Sequence, residues 1–212
     1  MKGLLIVILI VLVVVVGYHF YRKPVVSDED FTSINTFPDP EQYQTLDNDK
    51  IKINRRGLEA QIEPVAKYKV SAVVLSKKRY VSGWSAIISP LDLALGWGAV
   101  AQRENLDHIK TKQTLRWYRY RYDSTCTIGS DYISSHSSNH HIIPANKNIR
   151  KAVLFAKVNQ EIVLDGYLVN VSGKFKARPV SWNTSKTRTD TGDRSCEIMF
   201  VTSVRLGTNI YR

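Results

Sequence analysis

Residues 4–16 are unbroken Leu, Ile and Val. With Gly3 and the aromatic edge Tyr18, Phe20 and Tyr21, the apolar segment reaches about 19 residues, enough to cross a hydrocarbon core of roughly 30 Å. Arg22 and Lys23 close it, and tyrosines suit a membrane interface. Lys2 and a short apolar core also fit a cleaved signal peptide, but no A-x-A-like site follows, so the pattern predicts an uncleaved anchor over residues 1–23. From Pro24 to about Asn54 no period of 2 or 3.6 holds. Prolines at 24, 38 and 40 and the acidic run Asp28-Glu29-Asp30 predict a polar tether over residues 24–60.

Periodic patterns begin after residue 61. Residues 68–76 read as a strand rich in β-branched side chains. Ser89-Pro90-Leu91-Asp92 predicts a helix start, with Ser89 as cap, Pro90 at the first position and Asp92 at N3. Gly96-Trp97-Gly98 would end that helix, leaving Trp97 as a core plug or a ligand platform. Residues 115–122, LRWYRYRY, read as a strand with Arg116, Tyr118, Tyr120 and Tyr122 on one face. Arginines interleaved with aromatics can stack bases or hold phosphates; half-buried rings with snorkelling arginines are the plainer reading. Residues 134–139 predict a polar loop. Asn146 caps a helix over residues 147–157, whose Ile149, Ala152, Val153 and Ala156 share a face. Residues 161–171 alternate as a strand, with Gly166 marking a bulge or sharp coiling. A turn at 172–174, a short strand at 181–185, a polar loop at 187–194 and a last strand at 196–204 complete the domain.

The expected architecture is α+β, mainly β: a transmembrane helix followed by a small OB-like, partly open β-barrel with two or three short helices. The globular domain spans residues 61–206, and residues 207–212 form a tail.

Charge adds a preference for partners. The formal net charge is +11, and removing Lys2, Arg22 and Lys23 leaves +8 on the rest. Such a surface favours lipid headgroups, nucleic acid or anionic glycans. Cys126 and Cys196 show no C-x-x-C or Cys-His ligand spacing, so no structural zinc site is predicted. Outside the cytoplasm they can pair, closing a long loop worth roughly 4 kcal/mol; two free thiols fit equally. His136, His140 and His141 invite a metal reading, but no nearby carboxylate or HxxxH register accompanies them. They predict a Ser/Asn turn with one buried, hydrogen-bonded histidine, and no metal or cofactor.

The SSNHHIIPA run, the strand ending GYLVNV, the TRTDTG and CEIMFV segments and LDLALGWG together resemble an uncharacterised family of bacterial membrane-anchored or exported small β-barrel-like proteins with no assigned activity. The resemblance covers roughly residues 68–204. By position it implies recurrent Trp97, Asn139, His141, Gly166, Arg188, Asp190, Gly192, Cys196 and Glu197, with Cys196 as one recurring cysteine, which weakens the disulfide. The chain departs at His140, where a small or polar residue is usual, and at Asp193-Arg194-Ser195, where a Gly-Ala approach to Cys196 would be expected.

These observations predict a single-pass protein of a bacterial inner membrane, anchored in the bilayer through residues 3–21, with its C-terminal domain in the periplasm. The expected function is an extracytoplasmic binding or interaction domain for an envelope component, an anionic ligand or a partner protein, with Trp97, Arg116, Tyr118, Tyr120, Asn139, His141 and Arg188 as binding residues. A hydrolase would use His141 as general base, Asp190 to orient it and Arg188 to hold an anion. A cytoplasmic domain would make single-stranded nucleic acid a partner. A subunit of a membrane complex would instead show a large exposed apolar patch.

Overall fold

A computed structural model describes residues 8, 11, 23–45, 49–187 and 196–212. In chain order the strands and helices are β1 (Asp28–Glu29), β2 (Glu41–Gln44), β3 (Ile51–Arg55), β4 (Leu58–Arg79), α1 (Trp84–Ile88), β5 (Leu91–Gly96), α2 (Arg103–Leu106), β6 (Ile109–Thr114) and β7 (Trp117–Tyr122). They continue with α3 (Ser130–Ser135), β8 (Ser137–Pro144), α4 (Lys147–Phe155), β9 (Glu161–Phe175), β10 (Arg178–Trp182), β11 (Glu197–Leu206) and β12 (Asn209–Tyr211). The fold is mainly β.

Strand β9 pairs antiparallel along its whole length with residues 58–73 of β4, and the two form the spine of the molecule. In one half of the spine, β5 joins β4, β8 joins β5 and β11 joins β8, and β11 pairs with β9. The path of pairing therefore returns to its start and makes a five-stranded, barrel-like ring. All its contacts are antiparallel except β8–β11, which is parallel. In the other half, β3 and β2 extend the free edge of β4, and β10 extends that of β9. Strands β6 and β7 form a separate hairpin.

Alternation sets the ring's interior. Tyr68, Val70, Leu91, Leu93, Leu95, Ile142, Leu164, Leu168, Met199 and Val201 form one buried cluster with Ile149 and Val153 of α4. Helix α4 closes this core between β8 and β9. Its start is set by Asn146, whose side-chain oxygen accepts from the Ile149 amide at 2.9 Å. Asn146→Ala should lower stability by about 1 kcal/mol, read as a shift in urea midpoint at constant slope.

Several expectations need correction. The helix predicted from Ser89 is strand β5. Leu91, Leu93 and Leu95 alternate with Asp92 and Ala94, and all five are buried; a period of two in a strand covered on both faces prevailed over a good capping signal. The polar stretch 24–60 is not a free tether. It carries β1, β2, β3 and the start of β4, and Arg205 clamps it through the Asp30 carboxylate and the Thr32 carbonyl. The predicted loop 134–139 holds the end of α3 and the start of β8. Its polar side chains are covered rather than solvated, with Ser137 and Asn139 buried. The LRWYRYRY strand begins only at Trp117. Leu115 and Arg116, at φ of +51° and +68°, form the hairpin turn, so Arg116 does not share a strand face with Tyr118 and Tyr120.

The turn expected at 172–174 lies inside β9; the turn is at Lys176-Ala177, again with two positive φ values. The strand expected at 181–185 is β10, ending at Trp182. Residues 207–212 are not a loose tail, since β12 pairs with β11 and Tyr211 is buried. Cys126 and Cys196 are not joined in a disulfide. Among the described residues no helix is long and apolar enough to cross a membrane; the predicted anchor falls almost wholly outside them, as do Arg188, Asp190, Gly192 and the Asp193–Ser195 approach.

Candidate functional site

The chemistry of the domain concentrates on the outer face of β5 and β8. Asp92 and His141 stand directly opposite each other in that antiparallel pair. Both point away from the apolar ring interior, because their neighbours Leu91, Leu93 and Ile142 take the inward positions. Asp92 is fully buried and His141 nearly so. Arg116 reaches over them from the β6–β7 turn. Its Nη1 lies 2.6 Å from Asp92 Oδ1 and 3.3 Å from Ser89 Oγ, and its Nη2 donates to the Ser89 carbonyl at 2.8 Å. The guanidinium is layered between the rings of Tyr80, 4.1 Å from its centroid, and Trp182, at 5.1 Å.

This packing explains the electrostatics. Burial pulls the Arg116 pKa down, and the Asp92 charge opposes that shift. Burial raises the Tyr80 hydroxyl, with Asp92 adding to the effect. One oxygen, Asp92 Oδ1, serves two neighbours. His141 Nδ1 sits 2.9 Å from it, while Asp92 Oδ2 is left without a hydrogen-bond partner. Leaving a buried polar atom unmatched is costly.

That cleft encloses about 440 Å³. Trp84, Arg116, Trp117, His141, Trp182 and Cys196 line it, with the polar side chains of Ser85, Ser181 and Asn183. Three of the four tryptophans in the chain are therefore gathered on one cavity. Trp84 and Trp182 meet edge to face at 5.8 Å, and the His141 ring lies 4.5 Å from Trp182. Trp117 is 40% exposed at the rim.

Of the sequence-derived candidates, His141 and Arg116 line the cleft, and Asn139 supports it: its Nδ2 donates to the Arg116 carbonyl at 2.9 Å and its Oδ1 accepts from Gln113 at 2.6 Å. Tyr118 and Tyr120 turn inward against the cluster of Leu75, Ala94 and Ile133. The Tyr118 hydroxyl donates to Ser137 Oγ at 3.3 Å, and burial pushes its pKa up. Trp97 is a core plug. It is fully buried in the ring interior, and its Nε1 donates to Asp39 at 2.9 Å, away from the cleft. Arg188 and Asp190 lie outside the described residues.

Asp92, Tyr80, Trp84 and Trp182 were not singled out from the sequence as site residues. The alternation LDLAL alone places Asp92 opposite the leucines, and that was the available signal. Among the described residues no group of three or more His, Cys, Asp or Glu is placed to hold a metal ion. His140 faces inward instead, its Nε2 3.2 Å from the Tyr68 hydroxyl. No protein-family model, curated protein or solved structure matches the chain.

Proposed function

We propose that this protein is a membrane-anchored extracytoplasmic binding domain of the OB type, and that the tryptophan cleft takes a sugar ring of an envelope glycan. The ring order β4-β5-β8-β11-β9, the parallel β8–β11 contact and the helix between β8 and β9 support the OB assignment. Such barrels bind ligands across their second and third strands and the loops flanking them. In this chain those places are β5, β8, the β4–β5 link with Trp84 and Ser85, and the β9–β11 link with Ser181, Trp182 and Asn183. The gathering of Trp84, Trp117 and Trp182 there carries the reading. Indole rings offer an apolar face to sugar C–H groups, and the Ser and Asn side chains offer partners for hydroxyls. A single-stranded nucleic acid is served less well. Among the described lining residues the one cation, Arg116, is already neutralised by Asp92.

The test is a tryptophan-fluorescence titration of the full chain in nanodiscs with a panel of envelope oligosaccharides and a deoxythymidine 12-mer. Saccharides should change the emission, and the oligonucleotide should not. Trp117→Ala, at an exposed rim position, should weaken binding about tenfold, the order found for one stacked ring, with an unchanged melting temperature. A saccharide panel without effect, or an unaltered affinity in the variant, sinks the proposal. A C-terminal reporter active only outside the cytoplasm checks the orientation separately.

One observation favours a hydrolytic second reading: Cys196 opens on the same cleft as His141, which stands beside Asp92. In that case Cys196→Ala would abolish turnover of a bound ligand while leaving its affinity intact.

A further inference from the structure

A second groove lies on the outer side of the barrel, about 300 Å³ in size, with an apolar floor that includes Ile53, Ile87, Ile143 and Phe200. Its rim is basic, with Arg55, Lys147 and Arg150. Arg56 and Arg79 stand close enough that, with Arg55 and after burial itself, they push the Arg150 pKa down. Among the described residues none of these five cations has a carboxylate partner, whereas Arg116, Arg205 and Arg212 each do. Like charges left together create a local field that selects anions. An apolar floor beneath that rim fits an anion with a hydrocarbon part.

The position of the groove relative to the apolar run supplies the source of that anion. Asn148, in the first turn of α4, grips Val25 twice: the Val25 amide donates to Asn148 Oδ1 at 2.7 Å, and Asn148 Nδ2 donates to the Val25 carbonyl at 2.8 Å. Val25 follows Arg22 by only three residue steps, a span of about 10 Å. Arg150, two residues after Asn148 and so about 200° around the helix, flanks the same turn on its other side. The helix turn that anchors the start of the folded chain therefore also carries Arg150 of the cation cluster, on its opposite side.

The geometry points to a docking face for anionic phospholipid headgroups, formed by Arg55, Arg56, Arg79, Lys147 and Arg150, which seats the barrel directly on the membrane beside its anchor. The inference rests on the membrane-anchored reading of residues 3–21. It replaces a domain held off the surface by a tether with one lying against it. His141 and Ile143 sit two residues apart on the same outer face of β8, so docking also brings the tryptophan cleft to the membrane surface.

The full chain is reconstituted in nanodiscs of phosphatidylcholine alone or with 30% phosphatidylglycerol, and amide hydrogen exchange is followed in peptides spanning residues 50–57 and 145–151. Protection should rise with phosphatidylglycerol, fall with added salt, and drop about fivefold for each of Arg55→Gln and Arg56→Gln, both exposed positions where the fold is undisturbed, as one surface cation contributes. The wild-type salt series gives the same answer without any variant. Equal exchange in the two discs, or protection that ignores the substitutions, overturns the docking face. Protection reproduced by 10 mM inorganic phosphate on phosphatidylcholine discs overturns the lipid assignment. A chain that never enters the discs fails at the anchor instead, which separates that failure from failure of the docking face.

Discussion

Arg116→Ala should lower the unfolding free energy by about 4 kcal/mol, the usual cost of removing one member of a buried ion pair. The magnitude follows from what is left behind. Asp92 is fully buried, its Oδ1 loses the 2.6 Å contact, and its Oδ2 already lacks a partner. The substitution also unlayers Tyr80 and Trp182. Urea denaturation followed by circular dichroism measures the loss, and a change below 1 kcal/mol would contradict the account. Arg116→Lys should recover less than half, because an ammonium cannot bridge Asp92 Oδ1 and the Ser89 carbonyl in one plane or lie flat between two rings. Asp92→Asn combined with Arg116→Met should be more stable than Arg116→Ala alone, since the uncompensated charge is gone. All three should weaken ligand binding more than their stability loss explains, because Trp117 is carried on the turn that Arg116 pins.

The strands read most reliably from the sequence were those with one apolar and one polar face. The alternation at 161–171 and 196–204 identified β9 and β11, and Asn146 with its apolar stripe identified α4. Reading failed where both faces are covered. Strand β5 is buried throughout, so its Asp92 and Ala94 carried no polar-face signal, and a Ser-Pro start suggested a helix. The Ser/His/Asn run of β8 looked like a loop because its outer face is covered by the preceding β6–β7 hairpin, whose Gln113 and Arg116 bind Asn139. Two of the hairpin turns, Leu115-Arg116 and Lys176-Ala177, adopt positive φ without glycine or asparagine, which removes the usual turn signature. The short strands between 24 and 60 show no period because they are mostly exposed and are held by backbone pairing to β4 and β12 rather than by burial. The site was legible only in pieces. His141 and Arg116 were singled out, but Asp92, Arg116, His141 and Trp182 come from four separate segments: the ring pairs Asp92 with His141, while the β6–β7 hairpin and β10 bring Arg116 and Trp182.

Gly166→Ala should destabilise the domain by about 3 kcal/mol, at the upper end of overpacking costs. A Cβ at this position would overlap the Phe200 carbonyl oxygen, which is backbone and cannot rotate away. The clash falls where β9 meets β11, between the pairs Gly166–Val201 and Tyr167–Phe200 and next to the register shift at Val201/Ser203. That contact is the one that returns the sheet on itself, and a glycine with a local bulge allows the strand to coil tightly enough there. For a domain of this size the loss corresponds to a fall in melting temperature of about 6–12 °C. Gly129→Ala is the matched control. Its backbone is extended, with φ −87°, and nothing lies within 4 Å of the added carbon, so the variant should lose at most about 1 kcal/mol, the cost of alanine at the helix start it precedes. Thermal scans of the two variants side by side separate a general glycine effect from closure of the ring. If Gly166→Ala melts with Gly129→Ala, the β9–β11 contact is not what holds the barrel together, and the outer face of β5 and β8 must be positioned by the β4–β9 spine alone.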